Sequence, residues 1–160
     1  MPDALVNELA AALRSRGAQM VTAESCTGGL IAGACTDIAG SSDWFERGFV
    51  SYSNQAKAEM LGVDPALIEA HGAVSEAVAL AMARGAVQHS SAQCSLAVTG
   101  VAGPGGGSAD KPVGTVWFGW CVDGRTDAEC VRFEGDRAAV REATVEHALA
   151  GLLQRLRKFL

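Results

Sequence analysis

The sequence predicts an α/β protein, a three-layer α/β/α sandwich with a mixed β-sheet. Three observations carry that expectation. From Gln19 to Thr99, strand-like runs alternate with stretches of helical periodicity, the pattern of βαβ units. Cys94-Ser95-Leu96-Ala97-Val98-Thr99 is a run of small and apolar residues ended by Gly100, as expected of a strand covered on both faces. Beyond it, Val113 to Val122 and Ala128 to Phe133 alternate around Asp123-Gly124 as an antiparallel hairpin, which makes the sheet mixed.

Taken in order, Leu5, Leu9, Ala12 and Leu13 recur at helical spacing and predict an amphipathic helix ending at Gly17. Gln19 to Thr22 reads as a short strand, and Ala23 to Gly29 as a polar, glycine-rich turn. Leu30 to Ile38 is apolar almost all round, which predicts a helix buried on most sides and stopped by Gly40. Trp44 to Tyr52 is aromatic and β-branched, a second strand, with Ser53-Asn54 capping a helix that carries Lys57. Asp64-Pro65 restarts a short helix through Ala70. Ser75 with Glu76 caps a longer one to about His89. After the strand at 94–99 comes a second glycine-rich loop, Val101 to Pro112, then the hairpin, and Asp136 caps a final helix from about Arg137 to Phe159.

The chain has 160 residues, 49% hydrophobic and 19% charged, the profile of one domain spanning 1–160 with ample apolar residues for a core. The opening residues show no basic and apolar leader, and no run approaches the roughly 18 apolar residues of a membrane span, so a cytoplasmic location and no membrane partner are expected. A net charge of −5 with singly scattered Lys and Arg argues against nucleic acid as a partner. The five cysteines contain no C-x-x-C pair and read as reduced thiols. Apolar positions on the first and last helices suggest a homo-oligomer.

Chemistry is expected at Ala23-Glu24-Ser25-Cys26-Thr27-Gly28-Gly29. A turn between a strand and a helix aims N–H groups at one point, where Ser25, Cys26 and Thr27 present nucleophilic atoms. The alternative is that Ser25 and Thr27 only cap the following helix and the glycines only permit close packing. A thiol beside a helix N-terminus, Cys26, is the competing nucleophile. Other signatures fail. There is no P-loop, the Gly103 loop has Ser108 where a dinucleotide fingerprint needs its last glycine, and Ser25 is not in a G-x-S-x-G elbow. His71, His89 and His147 stand apart and have no metal spacing, so they read as structural. A Ser-Lys arrangement needs no histidine, and Lys57 would serve as base if burial kept it partly neutral; otherwise it is a solvated helix lysine. Trp44, Phe45 and Phe49 are read as core, and Arg137 and Arg141, one turn apart, either hold an anion or pair with Glu134 and Glu142.

Four segments in register, Ala23 to Gly29, Tyr52-Ser53-Asn54 with Lys57, Gly72-Ala73-Val74-Ser75-Glu76, and Thr99 to Pro104 with Gly106-Gly107, resemble one family. It is the CinA C-terminal domain, or PncC-type nicotinamide-nucleotide amidase, family, and the resemblance runs from about Val6 to Leu153. It implies an α/β/α fold and hydrolysis of the carboxamide of nicotinamide mononucleotide to nicotinic acid mononucleotide and ammonia, with no metal or organic cofactor, in a stand-alone domain. By position, Ser25 matches the nucleophile, Lys57 the base and Tyr52 a hydroxyl that assists. Thr99, Gly100, Gly103, Gly105 and Gly106 match the substrate loop; on physical grounds alone Gly28 and Gly29 supply main-chain donors for an oxyanion, Thr27 is counted with the substrate-binding residues, and Arg137 and Arg141 are candidates for the phosphate. The competing expectation is a non-catalytic nucleotide-binding or interaction domain linked to competence or DNA damage. Hydrolysis of another amide or a phosphoanhydride is a third.

Overall fold

The computed structural model describes residues 3–158. Five strands, β1 (Met20–Glu24), β2 (Phe45–Val50), β3 (Cys94–Gly100), β4 (Thr115–Val122) and β5 (Arg125–Arg132), are joined with six helices, α1 (Asp3–Arg16), α2 (Leu30–Thr36), α3 (Asn54–Leu61), α4 (Pro65–His71), α5 (Glu76–Gln88) and α6 (Arg137–Lys158). The sheet order is β2-β1-β3-β4-β5. β1 pairs in parallel with β2 and β3, while β4 and β5 are antiparallel, so the sheet is mixed as the alternation and the hairpin predict.

Strand alternation sorts the core into two layers. Met20, Leu96, Val98, Phe118 and Trp120 point to the face covered by α1, α2 and α6, packing on Val6, Leu9, Leu13, Ile31, Leu149 and Leu152. Val21, Ala23, Ala97 and Cys121 point to the other face, where α3, α4 and α5 contribute Leu61, Ile68, Val78 and Met82. The apolar stripes of α1 and α6, which suggest self-association in the sequence, are spent on this core. Among the described residues the exposed large hydrophobics are Leu30, Val50 and Tyr52.

Several boundaries differ from the sequence reading, each for a tertiary reason. Ala23 and Glu24 belong to β1 and not to the turn, because they pair with β2 and β3 on both sides. α2 ends at Thr36, short of Ile38, and only Ile31 and Cys35 are buried on it. It covers the edge of the sheet beside β1 and β2, so only one of its faces has anything to pack against. Trp44 and Tyr52 lie outside β2; Trp44 is fully buried, edge-on to Phe45 with ring centres 6.4 Å apart, which places these aromatics in the core. β5 starts at Arg125, not Ala128, because Asp123 and Gly124 both adopt positive φ (52° and 79°) in a two-residue turn that pairs Val122 with Arg125. Pairing of β4 starts at Thr115 instead of Val113. Phe159, the expected end of the last helix, lies outside the described residues.

The caps follow the sequence closely. The side chains of Ser53, Asp64, Ser75 and Asp136 accept from the N–H groups of Ala56, Ala66, Val78 and Ala139. Helix crossings are close: a Cβ on Gly85 of α5 would fall against the Leu61 carbonyl at the end of α3. Gly85→Ala is therefore expected to destabilise the fold by about 1–3 kcal/mol, read as a lower urea midpoint with an unchanged slope.

The two connections flanking β1 run over opposite faces of the sheet. The link to β2 runs over one face through α2, and the link from β2 to β3 crosses the other through α3, α4 and α5. The carboxyl ends of β1, β2 and β3 thus border a crevice of the kind where open α/β sheets bind ligands.

Candidate active site

Three strand ends deliver the site. Ser25 follows β1 directly, and its N–H donates to the Val98 carbonyl at 3.2 Å, so pairing with β3 fixes its backbone. The Gly28 N–H closes the turn on the Ser25 carbonyl at 3.0 Å, and Gly28 and Gly29 adopt φ of +57° and +107°, where a side chain would strain the chain. Tyr52 follows β2, and the Ser53 cap starts α3 so that Lys57 points back toward it.

Lys57 Nζ lies 3.2 Å from Ser25 Oγ and 2.9 Å from the Tyr52 carbonyl oxygen, and Ser25 Oγ lies 3.2 Å from that same oxygen. Lys57 is only 1% exposed, which removes the reading of a solvated helix lysine. Among the described residues no carboxylate pairs with it; Glu59, the nearest in sequence, accepts from Gln55 on the outside of α3. Burial pushes the Lys57 amine below the usual 10.5, a shift that nearby Cys26 opposes more weakly. A neutral amine here donates to the Tyr52 carbonyl and keeps its lone pair for the serine proton.

Burial also decides between the two nucleophiles. The Cys26 thiol is pushed up to about 11, chiefly by desolvation, with the Glu24 carboxylate adding to it. Its own N–H, Arg141 and Lys57 lower it less, so the thiol stays protonated at neutral pH although Cys26 borders the same cavity as Ser25.

A cavity of about 220 Å³ opens beside Ser25 and Lys57, bordered by Tyr52, Asn54, Ala73, Thr99, Gly100 and Arg137. The Ser25 turn, the Tyr52 junction and the loop after Thr99 thus converge on one cavity. Individual placements need correcting. Tyr52 meets Ser25 and Lys57 through its main-chain carbonyl, and its side chain is 59% exposed and carries no hydroxyl contact to either. Thr27 is fully buried and donates to Glu24 at 2.6 Å, turned away from the cavity. Gly28 and Gly29 do not line the cavity, and the Gly28 N–H is already used.

Arg141 does not border the cavity: its guanidinium donates to the Cys26 and Thr27 carbonyls, each at 3.1 Å, and so braces the turn. Arg137 borders the cavity and donates to the Gly103 carbonyl at 2.9 Å. Neither arginine pairs with Glu134 or Glu142. Thr99 donates its hydroxyl to the Ala73 carbonyl at 2.9 Å, joining two walls. Gly105 and Gly106 are exposed on the loop beyond the cavity. Two histidines are tied into the fold, His89 Nδ1 meeting the Gly85 carbonyl and His147 pairing with Glu129, while His71 is exposed.

Two features escape the sequence reading. Asn54, taken there as part of a cap, borders the cavity while Ser53 does the capping; its place beside Tyr52 at a strand-to-helix junction is the signal that points to it. The other is the helix behind the turn. The Glu24 carboxylate accepts from the Ile31 and Ala32 N–H groups at 2.8 and 3.0 Å, so the positive end of α2 is already neutralised and is not aimed at a ligand. Among the described residues no helix is long and apolar enough to cross a membrane.

Fold and geometry together define an α/β/α domain with a buried serine–lysine pair at the carboxyl ends of its parallel strands. The chain belongs to the CinA C-terminal domain family, whose model matches residues 2–156. It is 52% identical over 153 residues to the nicotinamide-nucleotide amidohydrolase PncC of Escherichia coli K12, covering 94% of this chain and 92% of that protein. It is 54% identical over 150 residues to the protein of the same name from Pseudomonas putida, covering 94% of each. Among solved structures, the competence/damage inducible protein CihA of Agrobacterium tumefaciens superposes with a TM-score of 0.93 at 46% identity, covering 97% of this chain and 94% of that one.

Proposed function

We propose that this protein is a nicotinamide-nucleotide amidase that hydrolyses the carboxamide of nicotinamide mononucleotide to nicotinic acid mononucleotide and ammonia. One observation carries the reading: Ser25 Oγ sits 3.2 Å from a buried lysine amine with which no carboxylate pairs among the described residues. The names of its near-full-length relatives supply the substrate.

In this reading neutral Lys57 takes the Ser25 proton as Oγ attacks the carboxamide carbon. The resulting ammonium returns a proton to the departing nitrogen as the C–N bond breaks, leaving an acyl-serine and ammonia. Water, deprotonated by the same amine, then cleaves the ester and restores Ser25. The Tyr52 carbonyl holds the amine in line throughout. The developing oxyanion falls to a main-chain N–H of the turn, that of Thr27, since the Gly28 N–H is spent on the Ser25 carbonyl and the Cys26 N–H faces its own thiol.

The cavity is smaller than the roughly 300–1,000 Å³ usual for whole ligands, so it takes the carboxamide end and leaves the phosphate at its mouth. Arg137 stands there with one Nη on Gly103 and the rest of its guanidinium without a partner among the described residues. Arg137→Met is expected to raise KM for the nucleotide about 10-fold or more with kcat largely kept, the loss of one charge-assisted contact. Steady-state kinetics check it.

The decisive assay is ammonia release from nicotinamide mononucleotide by the purified protein, with nicotinic acid mononucleotide formed in equal amount. The structural neighbour titled as competence/damage inducible keeps a second reading in view, a nucleotide-binding domain without catalysis. Folded protein that binds the nucleotide and releases no ammonia would establish that reading instead.

A further inference from the structure

We propose that Glu24 is a positioning residue for the nucleophile, acting through the turn it clamps and touching neither substrate nor Lys57. The inference rests on Ser25 being the nucleophile. Glu24 is the last residue of β1, 1% exposed, and no ion pair explains its burial. A buried carboxylate is retained only where hydrogen bonds replace its water, and here there are three. Oε1 accepts from Thr27 Oγ1 at 2.6 Å and from the Ile31 N–H at 2.8 Å, and Oε2 accepts from the Ala32 N–H at 3.0 Å.

Those donors lie on both sides of the Gly28-Gly29 pair, the two residues whose conformational freedom most threatens the turn. α2 has no side-chain cap of its own at Gly29, so Glu24 is its N-terminal anchor. The main chain of Glu24 ties the second loop as well. Its carbonyl accepts from the Ser51 N–H at 2.8 Å, and Ser51 precedes the Tyr52 carbonyl that holds Ser25 and Lys57. One residue therefore sets the position of the serine relative to the lysine from both sides. Arg141 completes the frame from α6 by donating to the carbonyls of Cys26 and Thr27.

A purely structural acid and a positioning acid differ in what they move. Glu24→Gln keeps the volume but turns an amide NH₂ toward N–H donors, and the turn relaxes. Displacement of a reacting atom by ~1 Å costs on the order of 10²-fold, so kcat for the nucleotide is expected to fall about that much with KM unchanged. The acid limb of the pH profile should stay where it is, because Lys57 keeps its surroundings. Should Glu24→Gln fail to fold, Thr27→Val removes only the 2.6 Å bond and is expected to lower kcat about 10-fold, again with KM kept. The double variant should lose less than the product of the two single losses, as linked partners do.

Labelling of Ser25 by a fluorophosphonate, which needs a positioned serine but no nucleotide, separates the two ideas. Slower labelling in both variants supports the positioning role whatever the natural substrate is. A wild type that labels yet releases no ammonia from nicotinamide mononucleotide overturns the amidase reading alone. Equal kcat and equal labelling rates in wild type and folded Glu24→Gln overturn the role of Glu24.

Discussion

Ser25→Ala is expected to lower kcat/KM for ammonia release from nicotinamide mononucleotide by about 10⁴-fold or more, the scale of losing a nucleophile with binding intact. Cys26→Ala, one residue away, should keep most of the activity. The contrast follows from burial: the cysteine thiol is held at about 11 and stays protonated at neutral pH, whereas the serine hydroxyl lies 3.2 Å from the Lys57 amine proposed as its base. Cys26 is 5% exposed and belongs to the core layer under α1, α2 and α6, so its replacement should cost stability before it costs catalysis. Activity surviving in Ser25→Ala and lost in Cys26→Ala would move the nucleophile by one position. Ammonia assays on both variants, each verified as folded by circular dichroism, decide it.

Lys57→Met is expected to lower kcat/KM by about 10²–10⁴-fold, the worth of a general base. The wild-type profile should rise with pH through a single group titrating below 10.5, because only neutral Lys57 accepts the serine proton. Stability carries the same signature. The folded amine titrates below its unfolded value, so between the two the unfolded chain binds the extra proton and stability increases with pH. Below that window the native state bears the full cost of a buried cation, and above 10.5 it bears none. Lys57→Met should flatten this dependence and match or exceed wild-type stability at neutral pH, since the Tyr52 carbonyl and Ser25 Oγ lose the amine but keep their bond to each other. Urea titrations across pH 7 to 10.5 measure it. A variant that is less stable at every pH, with an unchanged slope against pH, would show that Lys57 is charged and favourably paired in the native state.

Much of this architecture can be read from local pattern. The helix of Leu5, Leu9 and Leu13, the caps at Ser53, Asp64, Ser75 and Asp136, and the hairpin around Asp123-Gly124 are encoded within a few residues of one another, and each forms as its pattern dictates. α2 shows the limit of that approach. Apolar residues on all sides predict burial on all sides, but position at the sheet edge leaves Leu30 exposed, and no window of sequence contains that position.

The candidate site divides in the same way. Ser25, Lys57 and Tyr52 are marked by residue type and by resemblance, and their meeting beyond the neighbouring ends of β1 and β2 follows from the alternation of strands and helices. What each atom does does not follow. Tyr52 reaches the pair through a carbonyl that every residue possesses, so no side-chain pattern announces it. Arg141 and Arg137 are alike in sequence, one turn apart on α6; the approach of the Ser25 turn turns the first into a brace and leaves the second at the cavity mouth. Glu24 reads as part of a polar turn until strand pairing buries it and three donors gather round its carboxylate.

The sequence by itself determined the α/β/α class, the order of elements, the family and the serine–lysine candidates, because periodicity, capping and residue type are local properties. Tertiary structure alone decided that Lys57 is buried without a counter-ion, that Cys26 is a core thiol, and that α2 spends its positive end on Glu24. These depend on desolvation and on which groups from distant segments come within hydrogen-bond reach, and both are set only when the strands have paired and the helices have closed over them.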